Sequence, residues 1–418
     1  MKSGQGSPTT ERDLALLNLR PTGGRVSWRK PTHIRTVADA RALARRRVPR
    51  AVFDYLDGAA EGERTMRANA AALDAVQFRP QVGVTRGIDP LPLARTVLGN
   101  AVAFPVLLSP IGSSRSMHVH GDVAGARGAG KAGTIFTVST MSGHTIEEVA
   151  VAASGPLWFQ LYFLGGRSGA ERLVDRARSA GYQGIVVTLD TQSPGPRERE
   201  LRLGLSPPIE INLPTIRKMA WEVAARPRWL AAAVHDRFPF GFANVTDLGD
   251  PGRPLTAAEA LVEWQSSPAR WEDLSWIRDR FGGPVIAKGI LTGEDAKHAI
   301  EAGASAIIVS NHGGRQLDRA PATLSALVEV LGAVDGQVEV YVDGGFQRGS
   351  DVVAAIALGA RAVMIGRPWA YGLAAAGEVG VASILNIFQA GIMRTLRLIG
   401  CRSLDVLDSH FVRIPADW

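Results

Sequence analysis

Residues 310–318 read SNHGGRQLD and directly follow the apolar run ASAIIV. That order places an imidazole, two glycines and a guanidinium just beyond the end of a buried element. A neutral imidazole accepts a proton near pH 7, so His312 is a candidate general base. Arg315, three residues on, and Arg197, in GPRERE, can grip a carboxylate through forked hydrogen bonds. Asp190 closes the run YQGIVVTLD and can orient His312 while stabilising its protonated form. Lys288, in PVIAKGI, offers a positive charge for an anion formed during reaction. Tyr162 and Tyr55 add hydroxyl donors. Taken singly each has a plainer explanation, since a histidine in a turn is commonly structural and an arginine commonly a solvated surface charge. Six polar groups at the ends of different apolar runs, or in the loops after them, argue for one shared site.

The elements that must position these groups follow a rhythm of short apolar run, polar or glycine-rich tip, then helical segment. The runs are AFPVLLSPIG (103–112), TIFTVST (134–140), GPLWFQLY (155–162), YQGIVVTLD (182–190), PVIAKGI (284–290), ASAIIVSNHGG (304–314), VEVYVDGG (338–345) and RAVMIGRP (361–368). Continuous apolar runs fit parallel strands buried on both faces, and intervening segments such as GEDAKHAIEAG fit amphipathic crossover helices. Eight units predict an α/β chain folded as a (β/α)8 TIM barrel, with chemistry at the C-terminal ends of the strands. A doubly wound open sheet is the competing layout. Upstream, TVADARALARRR reads as a helix capped by Thr36, and Pro49 opens a second helix closed by Gly58, giving an N-terminal helical extension. Glycines and arginines in DGGFQRGSD and GRP, after runs seven and eight, stand where barrels commonly bind phosphate. GARGAGKA (125–132) imitates a nucleotide loop but precedes a strand instead of following one, so it reads as a small-residue helix ending near Gly133.

Composition bounds the remaining possibilities. The chain has 418 residues, 46% of them hydrophobic, and a formal charge of +7 carried mostly by arginine. Those charges are scattered and form no nucleic-acid footprint. One cysteine, Cys401, excludes an internal disulfide and a cysteine metal site, fits a reducing cytoplasm, and reads as a packed core thiol. No apolar stretch is expected to reach the length of a membrane span, and no signal peptide is read at the N-terminus. Residues 1–31 read as a flexible arm and 32–418 as the barrel domain. The interval from about 200 to 270 breaks the rhythm. Its segment IRKMAWEVAARPRWLAAAVHDRFPFG (216–241) mixes Arg, Lys, Trp and aliphatic residues, with a helix break at Pro227, and reads either as a mobile lid or as a membrane-surface contact.

FDYLDGAAEGERT, LSPIG, STMSGHTIEEVA, WFQLY, VTLDT, GPRERE, AKGI, SNHGGRQLD, DGGFQRGSD and ALGARAVMIGRP together resemble the FMN-dependent α-hydroxy acid dehydrogenase and oxidase family. The likeness runs from about residue 36 to the C-terminus, and SNHGGRQLD is its most specific part. It implies FMN as cofactor, His312 as base, Asp190 as its support, and Arg197 and Arg315 as the substrate-carboxylate clamp. Tyr55 and Tyr162 would donate to substrate. Pro110, Ile111 and Gly112 would line the flavin, Ser139, Gln160 and Thr188 would bond its polar edge, and Lys288 would face its N1/O2 side. Asp343, Gly344, Gly345, Phe346 and Gln347, with Gly366 and Arg367, would hold ribityl and phosphate. Three positions depart from the family pattern. Gln347 followed by Arg348 replaces a phosphate-binding arginine, which moves that contact to Arg348 or weakens it. Met141 stands at a substrate-facing position that is often aromatic. Gly112 leaves more room over the flavin.

The activity so implied is oxidation of an L-2-hydroxy acid, lactate-like, to the 2-oxo acid, with electrons passed to a quinone, a cytochrome or another respiratory carrier. The resemblance also implies a homotetramer, cytoplasmic or peripheral on the inner face of the cell membrane. The rival readings are an oxidase using O2, a tailoring oxidase acting on a specialised metabolite, and a non-catalytic anion-binding or membrane-binding barrel.

Overall fold

The computed structural model describes residues 34–83, 91–202, 220–235, 242–245, 248, 259 and 268–418. The arm expected over 1–31 lies outside them, as does most of the 200–270 interval. Eight parallel strands close into a barrel: β1 Val106–Leu108, β2 Phe136–Ser139, β3 Leu157–Leu161, β4 Gly184–Thr188, β5 Val285–Ile290, β6 Ala306–Val309, β7 Glu339–Val342 and β8 Ala362–Ile365. Each pairs with its sequence neighbour, and the ring closes where Val363 of β8 faces Val106 of β1. A closed ring leaves no strand edge, which rules out the open doubly wound sheet. The strands are shorter than the apolar runs that announced them. Run 304–314 yields only four ladder residues, because its polar tip leaves the ladder to form the barrel mouth.

Alternation along each strand separates two cores. Leu107, Trp158, Val186, Ile286, Ile308, Tyr341 and Met364 point inward and fill the barrel, while neighbours such as Val106, Phe159 and Val187 face the helices. Trp158 meets Tyr341 across the interior with ring centroids 5.7 Å apart. Truncating such a fully buried indole costs about 3–5 kcal/mol. A hairpin of Arg95–Val97 and Asn100–Val102 plugs the N-terminal end, adding Val97 and Val102 to the interior cluster. The strand rhythm did not announce it.

Around the barrel run helices α1 Val37–Arg47, α2 Arg50–Asp57, α3 Arg64–Ala75, α4 Gly121–Ala132, α5 Ile146–Ala152, α6 Gly166–Ser179, α7 Pro227–His235, α8 Trp271–Phe281, α9 Gly293–Glu301, α10 Thr323–Val334, α11 Gly349–Ala357 and α12 Arg367–Leu398. Thr36 caps α1 through a reciprocal capping box with Asp39, as its position before the helix predicts. Helix α4 contains the nucleotide-loop lookalike and ends at Gly133, whose left-handed φ of 71° terminates it. Cys401 is buried and free.

One expectation is corrected. Helix α12 has 32 residues and an 18-residue window of mean hydropathy 1.4, so by length and composition it is long enough to cross a membrane. With 61% of that window buried and a kink at Ala376 and Gly377, α12 is the core helix on which α1, α4 and α11 pack.

Candidate active site

The C-terminal ends of the eight strands surround a cavity of about 780 Å³. Its lining includes Pro110, Ile111 and Gly112 after β1, Ser139 and Met141 at β2, and Gln160 and Tyr162 at β3. Thr188 at β4, Lys288 on β5, and His312 and Arg315 after β6 continue the ring, which Asp343 to Gln347 after β7 and Gly366 and Arg367 after β8 complete. Tyr55 enters from α2 and Arg197 from the segment after β4. Asp190 sits behind His312 instead of on the wall, and Arg348 is outside the lining. The backbone N–H groups of Gln347 and Arg348 both donate to Asp351 Oδ2 at 2.8 Å, which commits this pair to capping α11.

His312 Nδ1 lies 3.2 Å from Asp190 Oδ1. A carboxylate at Nδ1 selects the tautomer with its proton there and leaves Nε2 as the accepting atom. Burial pushes the imidazole below its ordinary value, Asp190 pulls it back, and Lys288 and Arg315 push it down again. Burial alone would raise Asp190, but the charges of His312 and Lys288 outweigh it and hold the carboxyl below its usual range. Burial, with Asp190 and Tyr55, drives the Tyr162 phenol far above its usual range, so it stays a neutral donor.

The turn carrying His312 is unusual in its backbone. His312, Gly313 and Gly314 have φ of 58°, 62° and 76°, three left-handed residues in succession, which a side chain other than glycine's resists at the last two. Helix α3 holds that turn in place. Asn69 and Asn311 exchange side-chain hydrogen bonds of 2.9 and 2.8 Å, and Thr65 N–H donates to Asp318 at 2.8 Å. Gln316 donates to the carbonyls of Asp190 and Ser193, tying the turn to the β4 loop. Gly195 must be glycine because a Cβ there would lie 2.3 Å from the Arg315 carbonyl oxygen.

Arg315 donates to the carbonyls of Tyr55 at 2.6 Å and Gly58 at 3.0 Å, and its guanidinium sits 4.8 Å from the Tyr55 ring centroid. Burial, then the charge of Arg197, lowers it to about 9, still a cation at neutral pH. Arg199, two residues past Arg197, donates to Asp57 at 2.8 Å and Glu63 at 2.6 Å. Asp57 also accepts from Arg41 and from Tyr371, and together these bonds overcome its burial and bring it down to about 2. This ion cluster around buried Asp57 ties the segment after β4 to helix α2, the elements that carry Arg197 and Tyr55.

Along the wall, Ser139 donates to Gln160 Oε1 at 3.1 Å and Gln160 Nε2 donates to Thr188 at 3.0 Å, a chain across three strands. Lys288 donates to Ser310 at 2.9 Å and lies 3.7 Å from Asp343. Buried Ser109 Oγ, Asp343 Oδ1, Arg197 Nε and Arg367 Nε have no hydrogen-bond partner among the described residues, so the lining offers polar atoms to a ligand. Gly112 does not leave a gap. A Cβ there would lie 3.0 Å from Met141 Cβ and 3.2 Å from Tyr55 Oη, so the missing side chain lets those two close in.

The lining also holds residues that sequence reasoning missed: Glu200, Met66, Asn69, Phe242 and Tyr371. Glu200 had a signal, since RERE puts it three residues after Arg197. Asn69 and Tyr371 had none, being polar or aromatic residues inside ordinary helices. Phe242 belongs to a short stretch of the long interval that docks on the loop after β2, where Ala243 N–H donates to the Ser142 carbonyl at 3.0 Å.

Comparison with known proteins agrees with this geometry. The model of the FMN-dependent dehydrogenase family matches residues 44–414. The chain is 43% identical over 385 residues to pre-mycofactocin synthase of Mycobacterium tuberculosis, covering 91% of this chain and 94% of that protein. It is 39% identical over 381 residues to L-lactate dehydrogenase of Pectobacterium atrosepticum, covering 90% and 96%. Among solved structures, the monotopic membrane protein (S)-mandelate dehydrogenase superposes with a TM-score of 0.84 at 35% identity, covering 92% of this chain and all of that one. A barrel mouth rich in unsatisfied polar atoms and matched along nearly its whole length to these enzymes makes this chain a member of the FMN-dependent α-hydroxy acid dehydrogenase family, an oxidoreductase acting on a CH–OH group.

Proposed function

We propose that the protein oxidises an L-2-hydroxy acid to the corresponding 2-oxo acid. The observation that carries this is His312, backed by Asp190, in one cavity with two partly buried arginines. Converting CH–OH to C=O removes two electrons and two protons, and bound FMN supplies the two-electron acceptor. Arg197 and Arg315 bind the carboxylate, Tyr55 and Tyr162 orient the oxygen on C2, and His312 takes a proton at Nε2 while Asp190 stabilises the imidazolium. Ser139, Gln160, Thr188 and Lys288 would hold the flavin's polar edge. Gly344 and Gly345, with Gly366 and Arg367, would hold its phosphorylated tail.

The electron acceptor in this reading is a quinone or another respiratory carrier reached at the inner face of the cell membrane. Support comes from segment 216–241, of which 220–235 is described. There the helix breaks before Pro227, Trp229 turns inward to donate to the Ser116 carbonyl at 2.8 Å, and Trp221 and Val234 stay 79% and 69% exposed in a segment that also carries Arg226 and Arg228. A homotetramer is part of the same reading. The likeness to pre-mycofactocin synthase favours a second one, a tailoring oxidase acting on a specialised metabolite, to which the non-aromatic Met141 in the lining is open.

The test is anaerobic titration of the FMN-loaded protein with a panel of L-2-hydroxy acids, followed by the flavin absorbance. Bleaching by lactate-like acids is expected. A yellow protein that none of them bleaches would remove the hydroxy-acid reading and leave the second. Reoxidation of the reduced protein by a soluble quinone faster than by O2 is expected for a dehydrogenase.

A further inference from the structure

We propose that Glu200 is a built-in counter-ion of the carboxylate clamp and tunes the site to substrates with a single negative charge. The inference rests on the hydroxy-acid reading above. Glu200 lines the cavity, and its side chain is 13% exposed. One carboxylate oxygen is 3.3 Å from Arg197 Nη1 and 4.0 Å from Arg315 Nη2, so it faces both clamp cations at once. The other accepts from Arg197 Nη1 at 3.4 Å.

Two guanidiniums on one wall repel, and the pKa of Arg315 is lowered first by burial and then by the charge of Arg197. Arg197, Arg315 and Glu200 together carry one positive unit, which one incoming carboxylate neutralises. A dianion would bring a surplus negative charge toward Glu200 in a poorly screened cavity. The local backbone keeps Glu200 there. It sits on the single turn Glu198–Leu201, and the adjacent Arg199 is bolted to Asp57 and Glu63, so the carboxylate withdraws only by side-chain rotation.

Glu200 is a positioning and selectivity residue, since it acts through the arginines. Its test uses the FMN-loaded protein and two unreactive anions, pyruvate with one charge and oxalate with two, with Kd read from the perturbation of the flavin spectrum. E200Q should tighten oxalate by about tenfold and pyruvate by about threefold or less, reversing part of the discrimination. E200D, which keeps the charge, should retain the wild-type ratio of the two constants. Equal weakening of both anions in E200Q would mean that Glu200 only props up the clamp, and unchanged constants would mean that it has no role there; either result overturns the inference. A wild-type protein that binds neither anion would overturn the hydroxy-acid reading itself.

Discussion

The two ends of the cavity are built on opposite plans. At the end formed after β4 and β6, charged groups are partly buried and matched one to another: His312 with Asp190, Arg197 with Glu200, Arg199 with Asp57 and Glu63. At the end formed after β7 and β8 the glycines Gly344, Gly345 and Gly366 alternate with fewer paired charges. The cationic position is a neutral Gln347, Arg348 lies outside, and Arg367 gives its hydrogen bonds to the carbonyls of Gly313 and Gly58. Chemistry on a proton needs fixed charges whose orientation cannot drift. Holding a phosphorylated tail needs close backbone approach and tolerates fewer side chains. Disturbance should therefore cost catalysis at the first end and cofactor retention at the second.

The largest test is H312A. Losing the general base should slow flavin reduction by about 10³-fold or more with FMN still bound; stopped-flow reduction and the flavin-to-protein absorbance ratio report the two halves. Undiminished reduction would break the comparison outright. D190N should lower the rate plateau by about 10²-fold or more. In the wild type, depression of the His312 pKa keeps the base form available to lower pH than an ordinary imidazole, so the acid limb should fall below about 6.5. Asp190 raises that pKa, so D190N should move the limb lower still.

R197A should weaken substrate binding by about 30-fold to 100-fold, the worth of a charge-assisted hydrogen bond, with a smaller effect on FMN affinity. At the opposite end, Q347R should tighten FMN by about tenfold, read from flavin fluorescence on dilution, and leave the reduction rate alone. A changed rate with an unchanged FMN constant would invert the proposed division. The smallest effect belongs to Asp122, fully buried beneath the β1–β2 loops and bonded to Ser114 and Ser142. Burial raises its carboxyl to about 6, so the protonated form is favoured in the folded state. The stability it contributes is complete below the ordinary carboxyl value and is lost as pH rises from about 4 to about 6. The difference in melting temperature between wild type and D122N should change only across that window.

Much of the barrel was written in the chain because its signals are local. An apolar run ending in a polar tip states both a buried strand and what stands at its mouth, and Thr36, Pro49, Gly58 and Gly133 mark helix ends by their own conformational preferences. The same locality exposed His312, Asp190, Arg315 and Lys288, each at a run's end or just past it. It failed where function depends on approach from elsewhere. Glu200 owes its meaning to Arg315, Asn69 to Asn311, and Tyr371 to Asp57, pairs separated by 100 residues or more that no periodicity relates.

The departures divide in the same way. That position 347 is glutamine is a fact of sequence. That the backbone N–H groups of both Gln347 and Arg348 cap α11 through Asp351, with Arg348 outside the cavity lining, is decided by the tertiary structure. That Gly112 lacks a side chain is likewise written in the chain, but the space above it belongs to Met141 and Tyr55 because α2 packs there. By itself the sequence determined the eight-unit barrel and which reactive groups each unit carries, since strand burial and turn chemistry act over a few residues. Only the tertiary structure decided which of those groups face one another and which charges offset which, because electrostatic pairing depends on distance in space.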